Sequence, residues 1–176
     1  MLFKFQIELS DIDRNIYESL EFRTAQHLSE TGIYLLTRVI AYLHCYQSNL
    51  EFSLSGLSDP EGPTLFTRGD NGSIQNWIEI GNPSSKKLHK ATKQAPNILV
   101  YTYKSPQVLI NDIVASGVHR AKDIQIFAVA TSFLESLERD LIKNNRWSVL
   151  IQQGQIDITV GSSVHSTEIQ KFAAAN

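Results

Sequence analysis

The stretch RGDNGSIQNWIEIGNPSSKKLHK, from Arg68 to Lys90, decides how this chain is read. Within it SIQNWIEIG alternates with the period of a strand. Ile74, Ile78 and Ile80 fall on one face, and Gln75, Trp77 and Glu79 on the other. Asn82–Pro83 breaks the strand, and Ser84 or Ser85 then caps a helix over KKLHKATKQA. On that helix Lys86, Lys90 and Lys93 share one face, while Leu88, Ala91 and Ala95 form the opposite, apolar stripe. Glu79 lies away from the isoleucines, so the alternation predicts a carboxylate that can be exposed without breaking the core.

Working outward, FKFQIEL and IYESLEFRTAQ flank the turn material DIDRN and read as an opening hairpin. Ser29 is placed to cap a long helix over ETGIYLLTRVIAYLHCYQ, too continuously apolar to lie on a surface. SGLSDPEGP, residues 55–63, is punctuated as a loop. After the decisive stretch, NILVYTY and DIQIFAVA read as strands buried on both faces. PQVLINDIVASG and TSFLESLERDLIK read as helices between and after them. A hairpin turned at Gly154, RWSVLIQQ-G-QIDITVG, ends the series. Alternating strands and helices with hairpins at both ends mean an α/β fold with a mixed sheet flanked by helices.

Composition bounds the function. With 176 residues, 42% hydrophobic and 19% charged, the chain is expected to be one soluble domain with a sizeable core. A net charge of −2 excludes a strongly basic nucleic-acid coat but leaves room for a local basic patch. The single cysteine, Cys45, excludes an internal disulfide and a cysteine-rich zinc site, and it reads as a buried filler residue. MLFKFQIELSDID turns acidic too early for a signal peptide, and no apolar run approaches the ~20 residues of a membrane helix. A cytoplasmic location with no membrane partner is therefore the expectation.

The charged residues around Glu79 admit two readings. In one, Asp70 is a turn-favouring residue, Glu79 an edge-strand residue and the lysines a solvated helix face. In the other, Asp70 and Glu79 supply hard oxygen ligands to Mg²⁺ or Mn²⁺, and Lys90 reaches back over the strand's end to stabilise charge on a phosphoryl group. Glu30 is a third acid, at the start of the first helix. Arg38, two turns on within an apolar helix, calls for a buried acidic partner, and Glu30 is the natural one. His27, just before Glu30, reads as structural or as a ligand.

HLSETGIYLLTRVIAYL, IQNWIEIGNP, KKLHKATKQA and VYTY occur in this order and spacing in the YaeQ proteins, which the chain resembles from end to end as a single domain, 1–176. YaeQ proteins are similar to the PD-(D/E)xK fold, the mixed sheet flanked by helices found in restriction endonucleases and DNA-repair nucleases. The resemblance implies that Asp70 matches the motif's first acid, Glu79 its second and Glu30 the glutamate of helix one. These would ligate Mg²⁺ or Mn²⁺, with the Ile80 carbonyl as a further ligand. The motif's lysine should stand two residues after Glu79, where this chain has Gly81. In YaeQ-like chains it looks to have moved into the following helix, and Lys90 is the best match. Arg38 and Gln94 would support the site. The implied activity is metal-dependent cleavage of DNA or RNA, with Lys86, Lys87, Lys93 and Arg68 on the phosphate backbone and Trp77, Tyr101 and Tyr103 available to stack bases. A binding or regulatory module on the same scaffold, without turnover, is the alternative that Gly81 and the mildly acidic charge favour.

Overall fold

The opening hairpin forms as its alternation dictates. In the computed structural model, which describes residues 1–54 and 60–175, strands β1 (Leu2–Asp11) and β2 (Ile16–Ala25) pair antiparallel over their full lengths. Every second residue of β1 is inward, so Phe3, Phe5, Ile7 and Leu9 are buried. The expected loop over 55–63 lies partly outside the described residues.

The chain divides into two compact units, Met1–His44 with Val129–Gln170, and Cys45–Ala128 with Lys171–Asn176. The first carries helices α1 (Gly32–His44) and α4 (Thr131–Arg139) and strands β8 (Asn144–Gln152), β9 (Gln155–Val160) and β10 (Ser163–Glu168). Its sheet has the order β10-β9-β8-β1-β2, with β1 parallel to β8 and the other pairs antiparallel. Phe5 stacks on Phe22 at 5.3 Å and meets Trp147 edge-on at 5.0 Å, while Phe22 lies 4.7 Å from Tyr42 of α1. The hairpin expected at Gly154 forms between β8 and β9, turning through Gln153 and Gly154 at φ 53° and 75°, but it does not end the series, because β10 pairs back on β9. Two successive positive φ values suit the twist of the flanking strands.

The helix start differs from the expectation. Thr31, not Ser29, caps α1: its hydroxyl accepts from the Tyr34 N–H at 3.1 Å and its carbonyl from Leu35 N–H at 3.1 Å. Ser29 instead bonds the His27 ring at 2.8 Å, so Glu30 precedes the helix instead of opening it.

The second unit holds strands β3 (Glu51–Phe52), β4 (Leu65–Arg68), β5 (Ile74–Ile80), β6 (Asn97–Thr102), β7 (Ile124–Ala128) and β11 (Gln170–Ala173) in the order β11-β7-β6-β5-β4-β3. Helices α2 (Ser85–Gln94) and α3 (Pro106–Ala115) connect the parallel strands β5, β6 and β7. β4 and β5 form an antiparallel hairpin, so β5 is the strand at which pairing switches from antiparallel to parallel. Trp77, Leu88, Ala91, Ile98, Val100 and Leu109 share this unit's core. β5 is therefore internal and covered on both faces, because the Trp77 face is the one that α2 packs against. Cys45 is half-buried.

Candidate functional site

Glu79 sits at the C-terminal end of β5, and burial on the Trp77 face leaves it only 3% exposed. The expected exposed edge carboxylate is thus a buried one. Its Oε1 accepts from the Trp77 indole N–H at 2.7 Å and from the Lys87 ammonium at 3.0 Å. Its Oε2 accepts a long bond from the Thr64 hydroxyl at 3.4 Å. Burial pushes the Glu79 carboxyl above the ordinary glutamate range, and Lys87, Trp77 and Thr64 pull against that shift without reversing it.

The helix cap explains why the lysine is Lys87 and not Lys90. Ser84 accepts from the Lys87 N–H at 3.2 Å, which places Lys87 at the third residue of α2. Helical side chains lean toward the N-terminus, so Lys87 is directed back to the end of β5. Lys90 stands one turn farther along and pairs with Glu61 at 2.7 Å. The expectation that Lys90 would meet Glu79 is corrected by one helical turn. Lys87 is 21% exposed and Lys90 39%, so the Glu79 pair is the more sheltered.

The hairpin register separates the two acids expected to act together. Leu65 faces Ile78, and the Thr64 N–H donates to the Ile78 carbonyl at 3.0 Å, so the residues just before β4 lie beside Glu79. Asp70 lies in the turn at the other end, exposed, with roughly 17 Å of strand between positions 74 and 79. Arg68 shares that end: its guanidinium donates to the Gly72 carbonyl at 2.8 Å and lies 5.0 Å over the Phe66 ring.

In the first unit the expected partnership forms. Arg38 donates to Glu30 Oε1 at 2.7 Å, to the Thr24 hydroxyl at 3.0 Å and to the Ala25 carbonyl at 2.6 Å. Glu30 Oε2 is buried without a partner among the described residues. Among the described residues no group of three or more His, Cys, Asp or Glu side chains gathers closely enough to hold a metal ion. Within the second unit, Asp70 and Glu79 stand at opposite ends of β5.

Lys86 and Lys93 are exposed on α2, as is Gln94 at its end. Two of the three aromatics expected to stack bases are unavailable. Trp77 and Tyr101 are 1% and 0% exposed, and Tyr101 stacks on Phe127 at 4.9 Å. Tyr103 is half-buried, and that burial raises its phenol. Thr64 and Glu61 are the residues that sequence reasoning missed. The signal was present in the hairpin itself, since folding β4 against β5 brings the segment upstream of β4, not the turn, to Glu79.

No described helix is long and apolar enough to cross a membrane. A family model described as "YaeQ protein" matches residues 1–169. The chain is 32% identical to the uncharacterized protein YaeQ of Escherichia coli strain K12 over 104 residues, 59% of this chain and 57% of that protein. It is 31% identical to the Salmonella typhi YaeQ over the same shares of length. These matches span little more than half the length of those relatives. The crystal structure of YaeQ from Pseudomonas syringae superposes with a TM-score of 0.88 at 29% identity, covering 97% of this chain and 94% of that one. The YaeQ structure from Xanthomonas axonopodis pv. citri, at 24% identity, shares the fold with the same TM-score. The buried carboxylate and its lysine therefore stand in an α/β chain that belongs to the YaeQ family.

Proposed function

We propose that this chain is a divalent-metal-dependent phosphodiesterase acting on DNA or RNA, on a restriction-endonuclease-like core that uses residues 1–176 as one functional domain in the cytoplasm. The observation that carries the reading is the Lys87–Glu79 pair at 3.0 Å, at the carboxyl end of a strand that begins a parallel run. Ligand sites of open α/β sheets favour that edge. A carboxylate and an ammonium side by side are what the nuclease motif needs, and a lysine from α2 supplies what Gly81 lacks.

An ion here would be held by the Oε2 of this one carboxylate, Glu79, with waters completing its shell, and not by a closed cage. Oε1 of Glu79 is taken by Trp77 and Lys87, so Oε2 is the oxygen with capacity for Mg²⁺ or Mn²⁺. Mg²⁺ commonly takes only one or two carboxylates and keeps several waters. When bound, such an ion supplies a Lewis acid for the phosphoryl oxygens and an acidified water. Trp77 fixes the carboxylate, and Lys87 offsets negative charge building on the phosphoryl group and orients the attacking water. Lys86 and Lys93 hold the backbone of the nucleic acid.

Cleavage of single- and double-stranded DNA and RNA with Mg²⁺ or Mn²⁺ tests this. Glu79→Ala and Lys87→Ala should each lose about 10²–10³-fold in rate, whereas Lys90→Ala should lose far less. Equal residual cleavage by wild type and Glu79→Ala would mark contamination and end the proposal. The separation of Asp70 from Glu79 along β5 favours a second reading, a nucleic-acid-binding module without turnover. That reading expects retention of nucleic acid and no cleavage of any substrate.

A further inference from the structure

A second constellation lies in the first unit, on residues the proposed phosphodiesterase does not use. Ser136, on α4, holds its Oγ 2.8 Å from His165 Nδ1, on β10. The other ring nitrogen, Nε2, lies 2.7 Å from Asp140 Oδ2, at the C-terminal cap of α4. Hydroxyl, imidazole and carboxylate form one chain of contacts, each within the reach that nucleophilic catalysis requires. The Asp140 contact orients the ring and stabilises an imidazolium, and the imidazole can take the serine proton. His165 is 9% exposed and Asp140 34%, so the base is sheltered while its orienting acid still meets water.

A bond that merely pins α4 to β10 needs no cleft above it. Here a cleft of about 260 Å³ opens on Ser136 and His165, with Ser132, Val164 and Ser166 among its walls. Oxyanion donors follow from the strand register. The Ile169 N–H donates to the Gly154 carbonyl, and His165 and Thr167 pair with Ile158 and Ile156 in the same register. Alternation along an antiparallel ladder then turns the N–H groups of Val164 and Ser166 away from β9. β10 is the edge of its sheet, so among the described residues no further strand claims them.

The geometry points to a serine esterase centre built from Ser136, His165 and Asp140, for small carboxylic esters with a good leaving group. The cleft is open to solvent, and its volume falls just below that of ordinary drug-sized sites, about 300–1,000 Å³, which suits a small ester. Ser136 Oγ attacks the acyl carbon as its proton passes to His165 Nδ1. The new O–C bond forms and the carbonyl π pair moves onto oxygen, toward the outward N–H groups of β10. Collapse breaks the bond to the leaving alcohol, which takes the proton from His165. Water then attacks the acyl-serine, giving a proton to His165, and release of the acid returns that proton to Ser136 Oγ. The sum is ester plus water to acid plus alcohol.

The test is a fluorophosphonate probe with peptide mapping by mass spectrometry, alongside hydrolysis of p-nitrophenyl acetate. Ser136 should carry the adduct. Ser136→Ala should abolish it, and His165→Asn should slow labelling and hydrolysis about 10²-fold or more. Ser136→Ala removes one oxygen from a half-buried helical position, so circular dichroism should show its fold unchanged. An unlabelled wild-type Ser136 overturns the assignment. So does hydrolysis that survives in folded Ser136→Ala, or labelling at an equal rate in a folded His165→Asn.

Discussion

Glu79 shows how one buried charge links stability to pH. Its carboxyl titrates above the ordinary range because burial outweighs the pull of Lys87. The folded chain therefore binds this proton more tightly than the unfolded chain does. For this group, stability is greatest below the unfolded value and declines as pH rises through the folded one. Glu79→Gln removes that decline while keeping an acceptor for Trp77, and Lys87, 21% exposed, can turn its ammonium to water. The melting temperature of Glu79→Gln relative to wild type should thus rise between acid and neutral pH. A difference that is flat or falls with pH would show that the lysine, not burial, governs the site. Gly81 is a second residue-scale case. Its φ is +84°, and an added Cβ would meet Tyr103 at an ordinary 3.9 Å, so the constraint is conformational and not spatial. Gly81→Ala should cost about 1–2 kcal/mol in denaturant unfolding, and Gly81→Lys, which also brings an ammonium to a buried position, at least as much. Restoring a lysine at position 81 is thus opposed by the backbone that positions Glu79. An unchanged midpoint for both variants would remove the requirement for glycine.

At the scale of elements, α2 carries charges against its own dipole. Its first turn holds Lys86 and Lys87 and no acid, although the N-terminus favours negative side chains. Lys87 is compensated by Glu79, but Lys86 is exposed. Lys86→Glu should therefore stabilise the protein by about 0.3–1 kcal/mol, read as a higher melting temperature at low salt that shrinks as salt is added. No gain at low salt would mean that the dipole is already screened there. Helix α2 was legible because Asn82–Pro83 and Ser84 punctuate a clean apolar stripe, and β6 and β7 were legible as continuous apolar runs. β10 was not, because SVHSTE is an edge strand whose polar residues leave no apolar alternation to detect. β4 was missed for its length, four residues beside a Pro-rich loop. That omission hid the neighbour of Glu79: without β4, nothing in the sequence shows that the segment at Thr64 folds beside it while Asp70 is left in the hairpin turn. The identity of the lysine turned on helix phase, which Ser84 as cap fixes and Ser85 as cap would shift by one residue.

At the scale of the whole molecule, the net charge of −2 gives no general attraction to nucleic acid, so any affinity must come from local cations. Of the four cations expected on the phosphate backbone, Lys86, Lys87 and Lys93 share α2, a helix about 15 Å long. Arg68 lies at the turn end of the β4–β5 hairpin with its guanidinium bonded to Gly72. Lys87 is partly neutralised by Glu79, leaving Lys86 and Lys93 as the principal free charges of that helix. Each phosphate neutralised contributes about −0.7 to −0.9 to the slope of log K against log salt. The slope for a short oligonucleotide should thus lie near −1.5 to −2.5, shallow for a nucleic-acid protein, and Lys86→Ala should reduce it by a little under one. Fluorescence anisotropy at several NaCl concentrations, with Ca²⁺ replacing Mg²⁺ to hold back cleavage, measures both quantities. A slope much steeper than −3 would require a basic surface beyond α2, and a slope unchanged in Lys86→Ala would remove that lysine from the backbone contacts. Low salt sensitivity would have a physical corollary for the proposed phosphodiesterase: capture by diffuse charge would be weak, so discrimination between substrates would fall to the geometry around Glu79 and Lys87.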